Sequence, residues 1–124
     1  MSLPLIHGGL ATACLIYSLI LAGYSFWRYA RGQGIDSAMW GVLVVGEVLY
    51  LSQGVLGGLL LAQGLRTART WIHILYGIVM VITVPGTYAL TRGRDSRREA
   101  AIYGVIGLFL AGIALRAMTT GANP

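Results

Sequence analysis

The sequence has few charged residues, a single cysteine and no lysine. Charged side chains make up 10% of its 124 residues, whereas they make up about 25% of ordinary soluble domains. A soluble domain of this size must cover a large surface with polar groups, and nine basic and four acidic residues are too few for that. Together with a hydrophobic fraction of 56%, this scarcity excludes the soluble, disordered and disulfide-rich classes and indicates a membrane protein.

These scarcities also exclude several kinds of site. Cys14 has no second cysteine to pair with, and the absence of a Cys-x-x-Cys-His motif excludes covalent attachment of a c-type haem. The net charge of +5 comes from arginines in short turns between apolar blocks. Basic residues at the ends of membrane spans contact lipid headgroups, so membrane lipids are the expected partners and nucleic acid is not.

Four apolar blocks divide the chain, at about residues 3–27, 39–62, 71–90 and 100–118. Each block supplies roughly the 20 residues that a helix needs to cross the bilayer, and backbone groups in lipid must pair within a helix. The chain is therefore predicted to be one domain over residues 1–124. Its predicted fold is all-α, an integral membrane four-helix up-down-up-down bundle with helix three kinked at Pro85.

Helix start and stop signals flank these blocks. Ser2, Ser37 and Thr70 are predicted N-caps, and the Ser-Arg-Arg-Glu sequence of residues 96–99 is typical of a capping box. Gly64 is predicted to lie just past the end of helix two.

The arginines are distributed unequally between the two sides of the predicted bundle. The larger group follows helix one or joins helices three and four: Arg28, Arg31, Arg92, Arg94, Arg97 and Arg98. The smaller group is Arg66, Arg69 and Arg116. The positive-inside rule places the larger group in the cytoplasm, which predicts a multi-pass protein of a bacterial cytoplasmic (inner) membrane with both termini outside.

The two histidines, His7 and His73, are predicted to lie at one depth. Each follows its own predicted helix start by roughly 5–8 Å of helical rise, and helices one and three are parallel in this topology. Two imidazoles at one level of a four-helix bundle are what a six-coordinate haem requires for its axial ligands. We therefore predict that His7 and His73 ligate the iron of one b-type haem.

Several neighbouring residues are predicted to accommodate and anchor this haem. Glycines at Gly54, Gly58 and Gly77 leave space for a macrocycle, and the outer-side Arg66, Arg69 and Arg116 can pair with propionates. A chlorophyll-type pigment at the same site remains an alternative, as does simple helix packing without a cofactor.

Glu47 is the only acidic residue inside a predicted span, close to mid-membrane. An ionised carboxylate costs at least about 2.5 kcal/mol there, so Glu47 is expected to be protonated or well partnered. Gly54 and Gly58 share its helical face, and Tyr17, Ser18 and Thr83 are predicted hydrogen-bond partners at similar depth. The residue is predicted either to handle protons, in quinol chemistry or transport, or to fix the helix register as a neutral acid.

Through His7, His73 and Gly77 on four spans, the chain resembles four-helix membrane b-type cytochromes and the half-units of haem A synthase. This resemblance implies electron transfer near the outer face, with quinone and other membrane subunits as partners. A non-catalytic accessory subunit of a respiratory or photosynthetic complex, holding lipid or pigment, is the alternative, and a homo-oligomer is also compatible.

A third possibility is a small proton-coupled transporter that uses Glu47. In length, helix number and a single membrane-embedded glutamate the chain is similar to small multidrug resistance transporters. Their key glutamate lies in the first helix, whereas Glu47 lies in the second.

Overall fold

The computed structural model describes residues 2–64 and 70–121, with side chains to Thr119. It contains the helices α1 (Leu3–Ala30), α2 (Ser37–Ala62), α3 (Thr70–Leu90) and α4 (Arg97–Gly121). No strand occurs in these described ranges. The predicted all-α four-helix fold is therefore confirmed. Each helix extends one to three residues beyond its apolar block at one or both ends.

The helices form a closed ring of antiparallel neighbours. Helix α1 packs against α2 and α4, and α3 packs against the same two helices, while the diagonal pairs make no backbone contact in the described chain. The N-terminal ends of α1 and α3 lie at one end of the bundle, called the histidine end below. The opposite end, with the loops 31–36 and 91–96, is called the arginine end.

All four helices are long and apolar enough to cross a membrane. Large apolar side chains cover the outside of the bundle, including Leu5, Ile20, Val48, Ile82 and Leu108, each more than half exposed to the surroundings of the bundle. Lipid is the solvent in which such a surface is stable, because it leaves no apolar area in contact with water. The chain is thus a multi-pass membrane protein.

Most of the predicted helix ends are confirmed. The Ser2 side chain accepts a hydrogen bond from the Leu5 amide at 3.4 Å. In the capping box, the Glu99 carboxylate accepts from the Ser96 amide at 3.2 Å and from the Ser96 hydroxyl. Gly64 follows α2 with φ of +83°, a backbone conformation that glycine adopts without steric cost.

Three predicted features of α2 and α3 are not confirmed by the structure. The prediction of Ser37 as N-cap is wrong: Asp36 caps α2, accepting from the Met39 amide at 2.9 Å, because its carboxylate is the stronger acceptor one residue earlier. Thr70 is the first described residue of α3. Helix α3 continues through Pro85, and the bend predicted there stays a prediction.

The arginine end is closed by polar contacts between its two loops. The Ile35 amide donates to the Asp95 carbonyl at 2.8 Å, which joins the loops directly. Arg28 donates to the Gly34 carbonyl at 2.5 Å and forms an ion pair with Asp36 at 3.1 Å. These contacts satisfy backbone groups that the turns would otherwise leave unpaired at the membrane surface.

Helices α1 and α4 pack most closely, through small residues. A Cβ added at Gly107 would lie 2.7 Å from the Ala22 backbone nitrogen, so the two backbones are in direct contact there. Gly104 likewise leaves room for the Phe26 ring to pack against α4. Ala111 and Ala114 are further small, buried residues along α4. Small residues at a helix crossing let the two backbones come this close, and the resulting van der Waals contacts stabilise the helix pair in lipid.

This contact predicts different effects of the same substitution at two glycines of α4. Gly107→Ala is expected to lower the free energy of unfolding by about 1–3 kcal/mol, because the added methyl forces α1 and α4 apart. Gly112→Ala is the matched control: its Cβ would meet nothing within 4 Å in the described chain, and alanine favours a helix. Thermal unfolding in detergent, followed by circular dichroism, measures both variants. Equal stability of the two would contradict the packing argument.

Candidate cofactor site

The structure brings His7 and His73 together across the bundle. Their ring centres are 6.2 Å apart, and the ring planes meet at 77°. Helices α1 and α3 are diagonal and have no backbone contact among the described residues, so the two imidazoles reach toward each other across the centre. Both rings are partly buried. The histidines thus meet inside the histidine end.

A hydrogen bond to α4 sets the proton position on His73. Its Nδ1 atom lies 3.0 Å from the Ala117 carbonyl oxygen. A carbonyl only accepts, so Nδ1 carries a proton in this contact. A backbone carbonyl bonded to one ring nitrogen is the usual support for a histidine whose other nitrogen binds a metal.

His7 is held differently, through α2. The Gln53 amide nitrogen donates to the His7 carbonyl at 2.9 Å, which places the glutamine side chain beside the imidazole. The Nδ1 atom of His7 and the Oε1 atom of Gln53 are both buried, and the two side chains interact, but neither atom makes a hydrogen bond of regular geometry in residues 2–64 or 70–121. His7 Nδ1 is able to donate a hydrogen bond and Gln53 Oε1 only accepts one, so the two atoms are complementary.

One glycine lies beside the His7 ring, and it differs from those that the sequence emphasised. A Cβ added at Gly57 would lie 3.3 Å from His7 Cε1 and 3.8 Å from Nε2. Gly54 instead packs against Val81 of α3, whereas a Cβ at Gly58 or Gly77 would meet nothing within 4 Å in the described chain. Space therefore remains at Gly58 and Gly77, and Gly57 allows the ring to approach α2.

The predicted propionate partners are only partly described. Arg116 is exposed on α4, next to Ala117, whose carbonyl accepts from His73. Arg66 and Arg69 lie outside the described residues. Their predicted role stays a prediction.

Glu47 lies on the interior side of α2, but its predicted partners are wrong. Each of the three groups uses its hydroxyl elsewhere: Tyr17 donates to the Val42 carbonyl, Ser18 to the Cys14 carbonyl and Thr83 to the Val79 carbonyl. Ser18 and Thr83 bond to the preceding turn of their own helices, as hydroxyls in apolar helices commonly do, whereas Tyr17 bonds across to α2. The Oε1 atom of Glu47 is buried and has no hydrogen-bond partner in the described chain.

Gln53 is the site residue that the sequence interpretation missed. A glutamine inside an otherwise apolar span was the available signal, because its amide requires partners in lipid. It lies one helical turn from Gly57, and therefore close to the level of His7.

His7 and His73 form a pair of nitrogen donors at this level of the bundle. Within the described ranges, no group of three or more His, Cys, Asp or Glu residues is placed to hold a metal ion.

A scan against protein-family models and searches of curated proteins and solved structures found no match for this chain.

Proposed function

We propose that this protein binds one b-type haem between His7 and His73 and transfers electrons within or beside an energy-transducing membrane complex. The observation that supports the proposal most directly is the spacing of the two imidazoles, whose centres are 6.2 Å apart.

This spacing suits two ligands of one iron. An imidazole nitrogen binds a transition metal at about 2 Å, and the ring centre lies about 1 Å further out. Two imidazoles on opposite sides of one iron therefore have centres about 6 Å apart. The angle of 77° between the ring planes is compatible with two rings turned about a shared axis.

The contacts behind each histidine also suit ligation. The Ala117 carbonyl accepts from His73 Nδ1, which is the support that a metal-binding histidine commonly has behind its other ring nitrogen. His7 requires an acceptor for its own Nδ1 proton in the same role, and the Gln53 oxygen lies beside that ring. Gln53 is in this way a positioning residue for His7.

The macrocycle would occupy the space that the glycines leave. Of the neighbouring helix pairs, α2 and α3 have the least contact, and the open positions Gly58 and Gly77 face no other atom of the described chain within 4 Å. Arg116, together with the predicted Arg66 and Arg69, supplies positive charge at this end for propionates. The haem would supply one-electron chemistry, while the chain holds its iron and excludes bulk water.

The position near one membrane surface favours exchange of electrons with a partner at that surface. His7 and His73 lie within the first two turns of α1 and α3. The charge distribution orients the bundle with the arginine end in the bacterial cytoplasm and the histidine end outside. Electrons would then pass between a quinol pool or a membrane subunit and an acceptor on the outer side.

Absorption spectra test the haem. Protein purified in mild detergent from haem-replete cells is expected to show a Soret band and sharp α and β bands after dithionite reduction. His7→Ala and His73→Ala should each lower bound haem at least tenfold, because each removes one axial ligand. Leu5→Ala and Leu75→Ala, at exposed positions two residues away on the same helices, should retain it.

A folded but colourless wild-type protein would overturn the haem proposal. Absorption bands of a magnesium pigment would overturn it as well, in favour of the chlorophyll-type alternative. Retention of the full low-spin spectrum in both histidine variants would show that the haem binds elsewhere.

Labelling of single cysteines tests the orientation. In a Cys14→Ala background, Thr119→Cys reports on the histidine end and Gln33→Cys on the arginine end, and both positions are exposed. An impermeant maleimide is expected to label Thr119→Cys on intact spheroplasts and Gln33→Cys only after permeabilisation. The reverse pattern would contradict the orientation, and equal labelling of both variants in detergent is the control for reactivity.

A further inference from the structure

A row of polar side chains runs along the interior of α2, from mid-membrane toward the histidine end. Glu47, Tyr50 and Gln53 are spaced three residues apart, so they lie on the inward side of successive turns. The row covers about 9 Å of helical rise. Two of its members contact α1 directly, Tyr50 through Ser18 and Gln53 through the His7 carbonyl.

The hydrogen bonds of Ser18 fix the direction in which Tyr50 donates. The Ser18 hydroxyl has one proton, and it donates that proton to the Cys14 carbonyl at 2.7 Å. In the 2.7 Å contact between Ser18 and Tyr50, the donor is therefore Tyr50. The Tyr50 oxygen keeps its lone pairs as acceptors, and its side chain is 1% exposed.

Buried atoms without a regular hydrogen bond lie at both ends of this row. Glu47 Oε1 is at the mid-membrane end, and Gln53 Oε1 and His7 Nδ1 are at the other; none makes a hydrogen bond of regular geometry within the described ranges. Buried polar atoms of this kind are usually satisfied by bound water. Gln53 Oε1 has two lone pairs, so it can accept from His7 Nδ1 and from a bound water at the same time.

The row of polar side chains on α2 does not continue beyond Glu47 toward the arginine end. Residues 38–46 carry only apolar side chains or are glycine, and among them Leu43 and Met39 are 2% and 0% exposed. The Trp40 ring, at the level of Met39, packs edge to face on Tyr88 and Tyr103. Ser25 Oγ and the Tyr103 hydroxyl are buried without partners in the described chain toward that end, but they lie on other helices. Along α2, polar side chains therefore lead to Glu47 from the histidine end.

We infer that water bound along the row of Tyr50 and Gln53 gives the Glu47 carboxyl proton exchange with the aqueous phase at the histidine end. A proton from water at that surface passes along the bound waters and ends on the Glu47 carboxylate. The same proton returns to the surface when the acid ionises. Tyr50 and Gln53 orient the waters and keep their own protons.

Infrared spectroscopy measures this exchange directly. Protein in detergent at a pH low enough to protonate all carboxyls is transferred to D2O buffer, and the Glu47 carboxyl band is identified as the band that Glu47→Gln removes. The frequency of this band falls when deuterium replaces the Glu47 proton, so the time course of the shift measures the rate of proton exchange. Gln53→Leu and Tyr50→Phe are expected to slow the shift at least tenfold, because each removes a group that orders the waters.

Ser52→Ala is the matched control on the same helix. Its hydroxyl donates to the Val48 carbonyl on the exposed side of α2, so the exchange rate should match the wild type. Circular dichroism checks that each variant keeps its helices. Wild-type exchange in both Gln53→Leu and Tyr50→Phe would overturn the inference, and so would equal slowing in Ser52→Ala. The readout does not depend on bound haem, so it remains informative if the haem proposal fails.

Discussion

The close contact between α1 and α4 is the constraint on which the rest of the structure depends. Gly107 lets the α4 backbone touch Ala22 of α1, and this tight pair leaves α2 and α3 as the least packed neighbours. Helix α1 then carries His7 to the bundle centre, while α4 presents the Ala117 carbonyl to His73. In lipid, where apolar burial between helices contributes little, small residues at one interface can determine the space at another.

The loops at the arginine end satisfy their polar groups, whereas several buried side chains inside the bundle do not. Loop amides, carbonyls and ion pairs are matched, as the Ile35–Asp95 and Arg28–Asp36 contacts show. Buried atoms without partners in the described chain are Ser25 Oγ and the Tyr103 hydroxyl toward the arginine end, Glu47 Oε1 near mid-membrane, and Gln53 Oε1 and His7 Nδ1 toward the histidine end. Proteins usually satisfy buried polar groups, and exceptions concentrate where ligands, water or protons act. Both proposals concern the members of this set from Glu47 to the histidine end.

The sequence correctly predicted the level of the two histidines along the bundle. It did not predict how each helix is rotated about its own axis, for a physical reason. Hydropathy fixes where each helix crosses the bilayer, and a constant rise per residue then puts His7 and His73 at one level. It does not fix how each helix turns about its axis when several apolar faces are equally acceptable to lipid. Gly57 rather than Gly54 therefore lies beside His7, and the hydroxyls expected at Glu47 bond to their own or other backbone carbonyls.

The two proposed sites are close enough to influence one another. From Glu47 to Gly57, the glycine beside His7, α2 rises about 15 Å. At an effective dielectric constant of about 20, unit charges at that separation interact by about 1 kcal/mol, which changes an equilibrium constant about fivefold. An electron held between the histidines would thus favour a proton on Glu47 modestly, without direct contact. By the water route proposed above, that proton would be exchanged at the histidine end, where the electron is held.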